Sequence, residues 1–138
     1  MKERRISHVP LEELCYVAAM RALAAAGLDP ADVELIVIGS CSFDDQVPNQ
    51  ASGLQVRLGA KRAAAYDVNT ACTSFLYALS TANALVRTGV VKNAVVVGAE
   101  VISSFMDWAN RGVSVLFGDG AAAVVIEATD KVEGVLGE

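Results

Sequence analysis

Apolar and polar positions alternate with two different periods along the chain, and the switches between them lay out the elements. Leu11, Leu14, Val17, Ala18, Ala22 and Ala25 recur at helical spacing with Gly27 as a stop, which predicts a helix over about Leu11–Ala26. Asp29 and Pro30 suit the cap and first position of a short helical turn. Residues 35–38 are a short apolar run ending at Gly39, the pattern of a strand buried on both faces. A polar loop over 41–49 leads to a helix over about Gln50–Leu58, closed by Gly59. Residues 63–69 read as a second strand. Phe75, Leu76, Leu79, Ala82 and Val86 mark one face of a long helix over 73–88, ending at Gly89. Residues 94–98 are the clearest strand. After a less regular stretch over 101–120, residues 121–126 read as another strand and 132–136 as the start of one more. This order predicts an α/β fold with a mixed, mainly parallel sheet and helices on both faces. No internal repeat or linker-like segment divides the 138 residues, so they are one domain or part of one.

Composition narrows the class. The chain is 54% hydrophobic and only 6% aromatic, with 23 Ala and 20 Val, a mixture that excludes disorder and suits helices packed closely on a Val-rich sheet. Sixteen acidic against 11 basic side chains give a net charge of −5. A nucleic-acid surface, which needs clustered Lys and Arg, is therefore not expected. The one short basic run, residues 2–5, reads as solvated. No apolar run approaches the roughly 20 residues of a membrane-spanning helix. The opening K-E-R-R followed by polar residues is not a signal-peptide pattern. Cys15, Cys41 and Cys72 are odd in number and lack C-x-x-C spacing, which argues against a disulfide framework and against a zinc or other metal site. The expectation is a reduced, cytoplasmic protein.

The segment Asn69-Thr70-Ala71-Cys72-Thr73-Ser74-Phe75 places a cysteine where a strand hands over to a long helix. Free N–H groups and the helix dipole at such a place favour a thiolate. They also favour the oxyanion formed when a thiolate attacks a thioester. An ordinary thiol is only about 3% ionised at pH 7, so even a modest depression multiplies the nucleophile. Position alone leaves a buried structural cysteine as an equal alternative. Cys15, on an apolar helix face, and Cys41, after a strand end, read as structural. Gly118-Asp119-Gly120 lacks the Lys and the following helix of a phosphate loop and reads as a tight turn into a strand. Ser103-Ser104, Asp44-Asp45 and His8 read as surface residues. Arg111 reads as a solvated arginine, although Trp108 nearby and a planar guanidinium would suit a nucleotide surface.

D-V-N-T-A-C-T-S-F, then G-V-V-K-N-A-V-V-V-G-A-E, then F-G-D-G-A-A-A-V-V together resemble the amino-terminal half of a β-ketoacyl-acyl-carrier-protein synthase III, in the thiolase superfamily. The opening K-E-R-R-I-S resembles the R-E-R stretch that precedes the family's first long helix. The resemblance implies a thiolase-like half-domain over residues 1–138. It also implies a condensing enzyme in which Cys72 takes an acyl group from acyl-CoA for decarboxylative condensation with malonyl-acyl-carrier-protein, in fatty-acid or polyketide-like biosynthesis. Arg111 falls on a family arginine that contacts the adenine end of coenzyme A. Coenzyme A enters as a thioester substrate, with no resident cofactor. Acyl carrier protein, a homodimer partner and the carboxy-terminal half of the same enzyme are the implied partners. The loop around Val47-Pro48 resembles one that crosses the family's dimer.

The resemblance also implies what this stretch omits. Family members are about twice as long, and their catalytic His and Asn lie in the carboxy-terminal half; His8 does not match. The family's first strand, expected at the centre of the half-domain sheet, should precede Met1. The expectation is thus a fold incomplete at both ends, with apolar surface left open by the missing strand and a chain unable to complete condensation. Two other readings compete: a non-catalytic thiolase-fold module for dimerisation or carrier-protein docking, and a flavodoxin-like nucleotide-binding domain. The latter lacks the glycine-rich turn after a first strand.

Overall fold

The computed structural model describes residues 4–131, 134 and 135. The expected strand over 132–136 falls largely outside them. Helix α1 (Leu11–Ala26) and strand β1 (Leu35–Gly39) are joined by a 3-10 turn over Pro30–Asp32, whose amide at Ala31 donates to the Asp29 side chain at 2.9 Å. There follow α2 (Gln50–Leu58), β2 (Ala64–Val68), α3 (Ser74–Arg87), β3 (Asn93–Glu100), the single turn α4 (Arg111–Ser114) and β4 (Gly120–Glu127). The strands lie in the order β2-β1-β3-β4. β1 pairs in parallel with both β2 and β3, and β3 pairs antiparallel with β4. The mixed, mainly parallel sheet is as expected.

All five residues of β1 are buried, and their alternation feeds two cores. Ile36 and Ile38, with Val95 and Val97 of β3, pack against Leu11, Cys15, Ala19 and Leu23 of α1 and Leu54 of α2. Leu35 and Val37, with Ala94 and Val96, pack against Ala78, Ala82 and Val86 of α3 on the opposite face. The buried stripe of α1 advances in steps of four from Leu11, so Val17 and Ala25 of the expected stripe face solvent. Alanine on every side of that helix leaves the phase of the stripe open to sequence reading. On α3, Leu76 sits about 100° round from Phe75 and is 63% exposed, a correction to the expected face.

β1 and β3 are directly hydrogen-bonded from Ile36↔Val95 to Gly39↔Gly98. The sheet has no gap in its middle, so the expectation of a missing central strand is corrected; a further strand has room only at an edge. The open apolar surface instead lies on the outer side of α3, at Leu76 and Tyr77, and in the stretch before β4, at Phe105 and Leu116. Among the described residues no helix is long and apolar enough to cross a membrane.

Side chains fasten the ends of elements to one another. Asp67 of β2 accepts the first two amides of α2, from Gln50 at 2.8 Å and Ala51 at 2.9 Å. Its burial pushes the carboxyl above the ordinary aspartate value, against the pull of these amides. Of the residues before α1, Arg4 and Ser7 are half-buried and the others described are exposed. Arg4 stacks its guanidinium 5.3 Å from the Trp108 ring centroid, and the Arg5 carbonyl accepts the Asp119 amide at 2.9 Å. His8, Asp44 and Asp45 are exposed, as expected, and Val47 beside them is 90% exposed.

Candidate active site

β2 ends at Val68, and within six residues the chain turns through a single 3-10 turn (Ala71–Thr73) into α3. Local bonds make this elbow. The Ser74 hydroxyl donates to the Ala71 carbonyl at 2.6 Å and accepts the Thr70 amide at 2.9 Å, while the Thr73 hydroxyl donates to the Thr70 carbonyl at 2.8 Å. The Ala71 amide reaches the Asn69 side chain at 3.3 Å. Ala71 pays for the sharpness with a φ of +52°, in the left-handed region that disfavours a Cβ. These bonds engage the amides of Thr70, Ala71, Thr73 and Ser74 but not that of Cys72.

Two glycines let the elbow settle onto the sheet. Gly39 and Gly98 are register partners at the carboxyl ends of β1 and β3. A Cβ on Gly39 would lie 2.6 Å from the Ser74 carbonyl carbon, and one on Gly98 would lie 3.0 Å from the Phe75 side chain. The first turn of α3 therefore rests on bare backbone. Cys72, exposed, lines a pocket of about 270 Å³ with Gly39, Ser74, Phe75, Gly98, Glu100 and Ala122 among its walls. An exposed thiol above the carboxyl ends of parallel strands, beside an amide that these bonds leave free, has the arrangement in which a thiolate can attack a carbonyl and an N–H can hold the resulting oxyanion.

The other cysteines separate. Cys15 is fully buried in the α1 core, and burial pushes its thiol up to about 12, so it is inert, as expected. Cys41 is exposed rather than buried, and its sulfur points at Glu100 Oε2, 3.5 Å away. Arg111 opens α4 behind an Asn110 cap, is exposed, and is not among the residues lining the Cys72 pocket. The neighbouring Trp108 is covered by Arg4, not by Arg111.

Sequence reading missed Asp119, Ser103 and Glu100. The expected tight turn is corrected: residues 117–119 are irregular but not a turn, and Gly120 already begins β4. What fixes this approach is the Asp119 carboxylate, which accepts the Ser7 amide at 2.7 Å, the Ser103 amide at 3.0 Å and the Ser103 hydroxyl. Ser103 is thus half-buried and bonded rather than a solvated loop residue, whereas Ser104 is exposed, as expected, and donates to the Val101 carbonyl at 2.8 Å. Glu100 gathers the turn after β1. Its only sequence signal was a lone acid ending a buried strand.

Residues 66–137, which include the elbow and the F-G-D-G segment, match the family model for 3-oxoacyl-[acyl-carrier-protein (ACP)] synthase III. The chain is 46% identical over 135 residues to beta-ketoacyl-[acyl-carrier-protein] synthase III 2 of Vibrio vulnificus, covering 98% of this chain and 37% of that protein. The crystal structure of the 3-oxoacyl-[acyl-carrier-protein] synthase III of Aquifex aeolicus superimposes with a TM-score of 0.92 at 38% identity, over 95% of this chain and 43% of that one. The priming beta-ketosynthase of the R1128 polyketide biosynthetic pathway superimposes with a TM-score of 0.90 at 35% identity, over 93% and 39%. The chain spans about two-fifths of the length of the relatives it matches. With its four-stranded sheet and helices laid out as in these thiolase-fold synthases, the chain belongs to the 3-oxoacyl-[acyl-carrier-protein] synthase III family of condensing enzymes.

Proposed function

We propose that these residues form the nucleophile-bearing half of an acyl-transferring condensing enzyme, with Cys72 as the acyl acceptor. The observation that carries this reading is the placement of an exposed cysteine on a strained elbow, at the mouth of the pocket floored by Gly39 and Gly98. The Cys72 thiolate attacks the carbonyl carbon of an acyl-CoA. The Cys72 amide stabilises the oxyanion, and the tetrahedral intermediate collapses with loss of the coenzyme A thiolate, leaving an S-acyl cysteine. Condensation follows when malonyl-acyl-carrier-protein loses carbon dioxide and its enolate attacks that thioester, freeing Cys72. Arg111, on its exposed turn, is the residue offered to the adenine end of coenzyme A. Groups that stabilise the enolate belong, in this reading, to the part of the longer relatives that this chain does not span.

Intact-mass spectrometry after incubation with acetyl-CoA and longer acyl-CoAs tests the first step. The expected result is one acyl adduct per chain, absent from Cys72→Ala, and no condensed product when malonyl-acyl-carrier-protein is added. An adduct that persists in Cys72→Ala, or full condensation by the 138-residue chain, refutes the assignment. No adduct in a folded chain favours the docking-module reading, in which Cys72→Ala leaves affinity for acyl carrier protein untouched.

A further inference from the structure

A second thiol, Cys41, stands close to the elbow, and its sulfur donates to a carboxylate. Glu100, the last residue of β3, lines the same pocket as Cys72. One of its carboxylate oxygens accepts the Cys41 amide at 2.9 Å. The other accepts the Ser42 hydroxyl at 2.6 Å, the Ser40 hydroxyl at 3.3 Å and the Cys41 thiol at 3.5 Å. The Ser42 hydroxyl in turn accepts the Val101 amide at 2.8 Å, which closes a ring between residues 40–42 and 100–101. Three consecutive residues after β1 are thus gathered onto one carboxylate.

We propose that Glu100 is a positioning residue whose carboxylate ties the 40–42 turn to the end of β3 and holds the Cys41 sulfur as a protonated donor, so that Cys72 is the only reactive thiol presented at the pocket. Access does not protect Cys41, because it is exposed. Desolvation of the sulfur and the adjacent carboxylate do. A thiol that donates to a carboxylate loses that bond on ionising and sets two negative charges side by side. Burial of the sulfur, the Glu100 charge, its hydrogen bond and the facing Cys72 sulfur all push the Cys41 thiol above its ordinary value. Since the thiolate is the nucleophile, Cys41 does not compete for a thioester. The purpose of this arrangement rests on the reading of Cys72 as acyl acceptor; the restraint on Cys41 does not, and the two are separable by experiment.

The test is iodoacetamide labelling of the intact chain from neutral to alkaline pH, with each cysteine followed by peptide mass mapping. Cys41 is expected to label with a higher pH midpoint than the same cysteine in a free peptide of residues 38–44. Glu100→Gln is expected to lower that midpoint and to raise Cys41 labelling several-fold at mildly alkaline pH. Glu100→Asp is expected to restore part of the restraint on Cys41. A purely structural role for Glu100 would not move the pH profile. A wild-type Cys41 profile equal to that of the peptide overturns the proposal, and this comparison stands even when Glu100→Gln does not fold. So does an unmoved profile in a Glu100→Gln chain that melts like the wild type. Failure of Cys72 to load from acyl-CoA would sink the proposed function and leave the labelling result standing.

Discussion

At the scale of single residues, the most informative position is one that reading the sequence passes over. Ala71 precedes Cys72 and holds a left-handed φ of +52°, where an L side chain costs about 1–2 kcal/mol. The Ser74 and Thr73 hydroxyls fasten the backbone there. Ala71→Gly removes the clash and gives back about 0.5–1 kcal/mol through the freer unfolded chain. The expected outcome is a melting temperature unchanged or slightly raised. Ala71→Val, branched at Cβ, is expected to lose at least about 1 kcal/mol, because this conformation is an outlier for such residues. Calorimetry of the two variants checks this; a clear drop for Ala71→Gly would show that the Ala71 methyl makes contacts that outweigh the strain. No residue type marks this position in advance, since the strain is imposed by the elbow around it.

At the scale of elements, the site depends on how closely α3 approaches the sheet. A Cβ at Gly39 meets the backbone of Ser74, which has no flexible end to yield, whereas at Gly98 it meets the Phe75 ring. Gly39→Ala is therefore the harsher change. Overpacking of about 1–3 kcal/mol corresponds to a melting temperature lower by on the order of 5 °C. Cys72, two residues before the displaced backbone, should also load acyl groups more slowly. Gly98→Ala is expected to cost less on both counts. Thermal melts with acyl loading of both variants decide it, and equal behaviour would mean that α3 shifts freely over β1. The elements themselves were legible. Helix α1, the strand after Pro30, the second helix and the elbow helix all lie where periodicity and glycine stops put them. The buried stripes were less so, because alanine and valine cover both faces and sequence carries no vector for the core.

At the scale of the whole molecule, Asp119 joins segments far apart in the chain, the residues before α1, the turn after β3 and the start of β4. Partial burial raises its carboxyl, but the Ser103 hydroxyl and the Ser7 and Ser103 amides outweigh that and hold it below the ordinary aspartate value. A depressed carboxyl contributes stability above its unfolded value, about 3.9, and loses it as pH falls through the lower folded value. The wild type is therefore expected to melt above Asp119→Asn near neutral pH, with the gap closing only below about pH 4. Melts across that range check it; a gap that closes near pH 6 would point to another group. Sequence chemistry alone established the element order, the α/β class, the family resemblance and Cys72 as the thiol at a strand-to-helix junction, because periodicity, glycine stops and short motifs are local properties. Tertiary structure alone decided that the sheet is continuous without a central gap, that Gly39 and Gly98 seat the elbow, that Arg4 takes the Trp108 face, and that Glu100 reaches Cys41 across 59 residues. Those are contacts between distant parts of the chain, and their partners are chosen by packing rather than by neighbours in sequence.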